Sequence, residues 1–421
     1  MSLQFLSDKE THHSHSHTAP IVSVCWTRPT SSSSQGVILS GDCKGNIKTF
    51  EAQSALAYTD LPKAHSNAVH CITANAAGTV ALSSAIDGTI ALWDLTPFFS
   101  ADDENSNDNE TEAVSQEPSL LPLPLEEPNQ LILGTIDSLP TTSNDTKLSE
   151  AWATALHPTL PFFASAGAGA IVSLHAIPSS DGSSFGTTLA TATPPASIAK
   201  QKDLFALSLT FHPSGNLLAI GTNTGIVLLY TISSSSSSAT LQLVCNYADH
   251  PSPIRALSFT PYLLLVGSDD RSISVHDIKH FSLPSSQSSF SHTPSNGPEP
   301  RLGGTVASLS GHKGWILALA AAPKAAAENV FASVAADKSI KFWDLAAATK
   351  STPVWNGGET QMIRAFAFQP ANENDHSTEV TTGGGAAAAM TRFVTASEDG
   401  KLRWYRGADL DRLFGLQSKG V

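Results

Sequence analysis

The feature that most restricts this chain is the stretch 311–345, which opens on Gly311-His312 and closes on Trp343-Asp344. Between the two dipeptides lie apolar runs broken by the tight turn Ala336-Asp337-Lys338. Short alternating apolar runs around a polar turn describe hairpin strands, not a helix. A histidine and an indole packed among such strands need partners, because a buried polar group left unpaired costs about 1–3 kcal/mol. The spacing supplies them. His312, ahead of the first strand, can reach Asp337 in the turn, Ser333 on the second strand and Trp343 on the third. The stretch reads as one wedge of antiparallel strands around a buried hydrogen-bond relay.

The third-strand pattern of this wedge occurs seven times, ending near Phe50, Trp93, His175, Tyr230, His276, Trp343 and Tyr405. Each copy follows an apolar strand ending in small residues (VILSGD, VALSSAID, LLAIGTN, VFASVAAD among them), and each of those follows a further apolar strand. Seven such units predict an all-β fold, a seven-bladed β-propeller closed as a single domain over residues 1–408, with 409–421 as a tail. By length alone 421 residues would suggest two or three domains. Closure requires the two ends of the chain to share a blade, since an open sheet edge invites foreign strands. The segment Ser2–Leu6 is expected to supply the outer strand of the seventh blade. The relay is expected at His65, Asp87 and Trp93 in the second copy, Asp270 in the fifth and Asp399 in the seventh. Lys44 and Thr224 stand where the first and fourth copies should carry the carboxylate, so those blades are expected to rely on packing. No Gly-His precedes the third, fourth or seventh copy.

The remaining segments are polar insertions near 98–147, 178–199, 281–304 and 371–390, together with the run Ser233–Ser238. Their composition predicts flexible surface loops. The first is acidic, and docking of a basic partner is a second reading of it. The net charge of −13 argues against direct nucleic-acid binding, which needs clustered Lys and Arg. The four cysteines form no CxxC pair and read as reduced packing residues, which suits a cytoplasmic protein with a nuclear pool. No apolar run reaches the roughly 20 residues of a membrane span, and the N-terminus lacks a secretory pattern. His12, His13, His15 and His17 suggest a metal tract but read as a mobile tail, with His17 also fitting the first relay histidine. No catalytic arrangement emerges, so no catalytic residue, metal or cofactor is expected.

Binding is what remains. In a propeller the first strands line the central channel, and their starts open on one face. Counting back from each strand's end places Trp152, Arg255 and Arg364 at one equivalent position, with Phe205, Pro253, Trp315 and Met362 two residues earlier. Aromatics and arginines converging on a channel mouth are the residue types that dominate protein–protein hot spots. Trp152 and Phe205 fit an inter-blade core equally well. The residues before the relay carboxylate should rim the same face, and Asp269 and Glu398 among them suit a basic residue of a partner.

The Gly-His to Trp-Asp unit is the signature of a WD repeat. The order of motifs goes further. PIRALSFTPYLLLVGSDDRSISVHDIKH, then GTVASLSGHKGWILALA with ADKSIKFWDL, EAWATALHP and the terminal EDGKLRWYR resemble the WD-repeat subunits of superkiller (Ski) complexes. These are the fungal counterparts of an animal protein shared with the polymerase-associated factor complex. The resemblance spans all seven copies and implies a non-enzymatic propeller. It implies as partners a tetratricopeptide-repeat scaffold and a DExH RNA helicase that feeds the cytoplasmic exosome in 3′-to-5′ mRNA decay. It further implies binding of the meiotic double-strand-break protein on the same face, with Trp152, Arg255 and Trp315 matching positions of that surface. The alternative is an adaptor of a transcription or chromatin (polymerase-associated factor) complex. A propeller hydrolase or substrate receptor is the reading from another class.

Overall fold

The computed structural model describes residues 5–28, 36–99, 121, 127–137, 152–177, 185–235, 238–282, 304–323, 329–346, 352–370 and 392–407. Their strands form seven antiparallel sheets, six of four strands and one of three. This is a seven-bladed β-propeller. In chain order the first strands of the blades are Ile21–Trp26, Cys71–Ala74, Ala153–Leu156, Ala206–Phe211, Ile254–Phe259, Ile316–Ala321 and Ile363–Phe368.

Burial explains the strand sequences. A second strand lies between the two neighbouring blades, so both of its faces are covered. Val37–Asp42, Leu217–Thr222 and Val330–Ala335 are accordingly buried at every residue. Outer strands keep one face in water, and Ile132–Ile136 alternates half-buried with exposed residues. Seven buried apolar clusters result, one at each junction between consecutive blades. The junctions are tight. A Cβ on Gly41, Gly221 or Gly267 would come within 2.5–2.6 Å of Val69, Ile254 or Ile316, which lie at or just before the start of the next blade's first strand. Those small residues at the second-strand ends are what let adjacent blades approach.

Ring closure uses Phe5–Glu10, which pairs antiparallel with Leu402–Gly407, from Phe5 opposite Gly407 to Glu10 opposite Arg403. The closing strand includes Phe5 and Leu6 of the expected Ser2–Leu6 and runs on to Glu10, while residues 2–4 lie outside the described residues. In this register Phe5 stacks on Phe342 at 4.6 Å, while Asp8 and Glu10 meet Arg406, Arg403 and Lys401.

Several expected loops carry structure. The second and third blades take their outer strands, Ile132–Ile136 and Thr188–Ala192, from within the insertions at 98–147 and 178–199. The serine run is a hairpin between the long strands Val227–Ser235 and Ser238–Tyr247, because blade 4 extends its pairing to Ser235 opposite Ser238. Most of the acidic insertion, nearly all of 281–304, the stretch 371–390 and the tail 409–421 lie outside the described residues. No helix among the described residues is long and apolar enough to cross a membrane.

Candidate partner-binding face

Blade 6 holds its relay closed. Trp343 Nε1 donates to Ser333 Oγ at 2.8 Å, and His312 Nε2 lies 2.7 Å from the same oxygen. His312 Nδ1 lies 3.2 Å from Asp337 Oδ2. The Asp337 carboxylate can only accept, so a neutral His312 carries its proton on Nδ1 and accepts the Ser333 hydroxyl proton at Nε2. Burial agrees, pushing His312 down to about 4. For Asp337, burial acts upward, but hydrogen bonds from Ser339 and Lys313 N–H and the adjacent imidazole hold it below its ordinary value.

The other blades vary this plan. In blade 2, His65 contacts Ser83 at 2.6 Å and reaches Asp87 through Thr89, while Trp93 donates to Ser83 at 2.9 Å. In blade 5 the serine has crossed to the neighbouring strand. Ser274, paired with Val266, lies 2.8 Å from both His250 and His276, and His250 meets Asp270 at 2.7 Å. In blade 1 the expected loss of the carboxylate at Lys44 is made good two residues earlier. Asp42 takes His17 at 3.0 Å, and His17 also contacts Ser40 at 2.8 Å. Residues 11–17 are therefore a turn fastened to blade 7, with His17 N–H on the Gly400 carbonyl, and not a mobile tail. Among the described residues no group of His, Cys, Asp and Glu is arranged to hold a metal ion.

Blade 7 carries a residue that the motif search passed over. Glu359 sits four residues before the first strand, as His312 does in blade 6. Its carboxylate accepts from Ser397 at 2.6 Å, Thr395 at 2.5 Å, Tyr405 at 3.1 Å and Arg403 at 2.9 Å. Arg403 in turn pairs with Asp399. The signal was available: GGET precedes IRAFAF at the relay spacing.

The relays fix the blades, and the blades aim the channel mouth. Five first strands carry a bulge after their first residue, so that Val22, Leu207, Arg255, Leu317 and Arg364 are the extra residues. A bulge re-aims its side chain and bends the strand. The register of blades 2 and 3 puts His70 and Trp152 at the same place. Trp152 packs edge-on against Phe205 at 4.7 Å and lies 6.0 Å from His70. Both Trp152 and Phe205 are half-buried, so they form an inter-blade contact and also part of the mouth. The Trp152 indole N–H is buried without a hydrogen-bond partner. Trp315 is 53% exposed, and Arg255 stands over its ring at 5.6 Å.

Asp269 and Glu398, expected at the rim, are each engaged by a first-strand arginine. Arg255 Nε meets Asp269 at 2.7 Å, and Arg364 Nη2 meets Glu398 at 2.6 Å. The rim therefore presents neutralised ion pairs, not free carboxylates awaiting a basic residue. His70, a residue the sequence reading missed, is driven below its ordinary value by burial, with the Arg255 charge adding to the effect. Beneath the mouth lies a cavity of about 180 Å³ lined by His70, Cys71, Thr154, Leu207, Arg255 and Leu317.

Residues 58–94, 241–277 and 303–344 match the WD domain, G-beta repeat family. The anaphase-promoting complex subunit cdc20 of Dictyostelium discoideum is 27% identical over 195 residues, covering 46% of this chain and 32% of that protein. This chain thus aligns with about a third of its relative's length. Repeat match, relay geometry and ring closure agree: the chain is a seven-bladed β-propeller with WD repeats, a fold that generally serves as a non-catalytic interaction scaffold.

Proposed function

We propose that this chain is a scaffold subunit whose channel mouth grips an extended segment of a partner protein, in a complex of the superkiller type. The observation that carries the reading is Trp315, a large aromatic left 53% exposed and flanked by Arg255, which uses only its Nε on Asp269. An exposed indole beside an arginine with free Nη donors suits a peptide that offers an apolar anchor next to a hydrogen-bond acceptor. A rigid ring loses little conformational freedom on docking, so a few anchors supply the affinity. The motif order shared with superkiller WD-repeat subunits supports a tetratricopeptide-repeat scaffold as the donor of that segment. A DExH helicase would stand beside it, in a cytoplasmic protein with a nuclear pool. The cdc20 relative, also a complex subunit by its name, supports the broader idea of a subunit role.

The test is affinity purification of the tagged protein from its own cells with mass spectrometry of the bound proteins. Recovery of the repeat scaffold and the helicase supports the reading. Recovery of polymerase-associated factor components without the helicase replaces it with the transcription adaptor.

A further inference from the structure

Among the described residues, blade 1 differs from the other six in having three strands. In place of a fourth, Ala57 forms a single bridge to Phe50, held by Glu51 N–H on Leu56 O and Tyr58 N–H on Thr49 O, both at 2.9 Å. Backbone polarity alternates along a strand, so Ala57 and Thr59 turn their carbonyl and amide groups outward. Among the described residues, one meets them. Leu121, from within the acidic insertion, donates its N–H to Ala57 O at 2.8 Å and accepts Thr59 N–H at 2.9 Å, in parallel orientation. The floor beside this edge is apolar: Tyr58 packs edge-on against Phe98 at 4.9 Å, with Leu61, Ala64 and Leu131 in the same cluster.

The sequence around Leu121 suits this use. It reads Pro118-Ser-Leu-Leu-Pro-Leu-Pro124, with Pro118, Pro122 and Pro124 all at odd offsets from Leu121. In any strand added to this edge, residues at odd offsets from the paired residue direct their amides away from it. A ligand with proline at those offsets would lose no ladder bond and would resist addition of a further strand on its far side.

We propose that the outer edge of blade 1 at Ala57–Thr59 is a second peptide site, separate from the channel mouth. It takes an extended apolar segment with proline at alternate residues by parallel strand addition, and Leu121 marks the chain's own resident ligand. A partner segment of the same chemistry occupies it by displacing that ligand. The inference does not rest on the channel-mouth reading.

The experiment uses the full chain, a variant with residues 119–125 replaced by Gly and Ser at equal length, and a Leu121→Pro variant. The probe is a labelled peptide of residues 117–127, EPSLLPLPLEE, followed by fluorescence anisotropy. A tethered copy competes at an effective concentration of roughly millimolar, so both variants should bind the peptide at least about tenfold more tightly than the parent. A peptide with its prolines moved to the places of Leu121 and Leu123 should not bind. Exchange of the Thr59 amide should be slow in the parent, fast in the replaced variant and slow again with peptide. Equal binding by parent and variants overturns the proposal. So does absence of binding by a replaced variant that melts like the parent, or equal binding of the proline-shifted peptide. Trp315→Ala/Arg255→Ala in the replaced background should leave this binding unchanged, which keeps the two sites distinguishable.

Discussion

Glu359 stands where blade 6 has His312, and the exchange changes the chemistry of the relay. An imidazole links a serine to a carboxylate while staying neutral. Glu359 instead gathers four donors, one of them the guanidinium of Arg403. Its side chain is 2% exposed, and removing it breaks a buried ion pair and takes an acceptor from the Ser397, Thr395 and Tyr405 hydroxyls, although Arg403 keeps Asp399 and Glu10. Glu359→Ala is expected to cost about 3–5 kcal/mol in denaturant unfolding, and Glu359→Gln less, because the amide oxygen still accepts. Equal stability of Glu359→Ala and the parent would remove this residue from the relay. The histidines set a pH response. Burial depresses His65, His175, His276 and His312 to about 4, against an ordinary value of 6.5. Between those values the unfolded chain binds protons that the folded chain refuses, so stability falls as pH drops from about 6.5 to about 4. Asp42 and Asp87, each held at about 2 by hydrogen bonds that outweigh desolvation, act lower, losing their contribution between about 3.8 and about 2. A melting temperature that begins to fall near pH 6.5 is expected. One that stays flat to pH 4.5 would contradict the buried-neutral assignment.

At the scale of the element, the closing strand is the point of greatest consequence. Phe5 inserts among Phe342, Trp355 and Phe393 at 4.6–5.1 Å, so it belongs to the core between blades 6 and 7. Phe5→Ala should cost about 3–5 kcal/mol. Deleting residues 1–11 should expose the Leu402–Gly407 edge and give concentration-dependent aggregation in light scattering. A monomeric, parent-like deletion would show that closure is dispensable. The strands were legible because alternation and Asp-Gly turns are local. Blade 5's serine was not, because Ser274 replaces a residue on the opposite strand, and cross-strand exchange has no linear signature. Asp42 and Glu359 were missed for a related reason: the search looked for a residue type at one place, while the fold needs only an oxygen within reach of the relay. The serine hairpin of blade 4 was hidden because its pairing rests on backbone bonds, which composition does not report.

For the whole molecule, ring geometry brings bulged first-strand residues of separate blades towards one channel mouth. The count-back from strand ends put Arg255 and Arg364 at one equivalent position, where both first strands bulge after their first residue, while Trp152 holds that position by register alone. It did not reveal that Arg255 and Arg364 are already tied to Asp269 and Glu398, since ion pairing across a turn depends on rotamers. Nor did it give the position of Leu121 against blade 1, which depends on a contact between segments over sixty residues apart. The proposed function rests on recognition of a partner at this mouth. Its most direct test is quantitative capture of partners by the tagged parent and by the Trp315→Ala/Arg255→Ala double variant, with both shown to melt alike. Loss of the partners from the double variant is the expected result. Undiminished capture by a correctly folded double variant would contradict it.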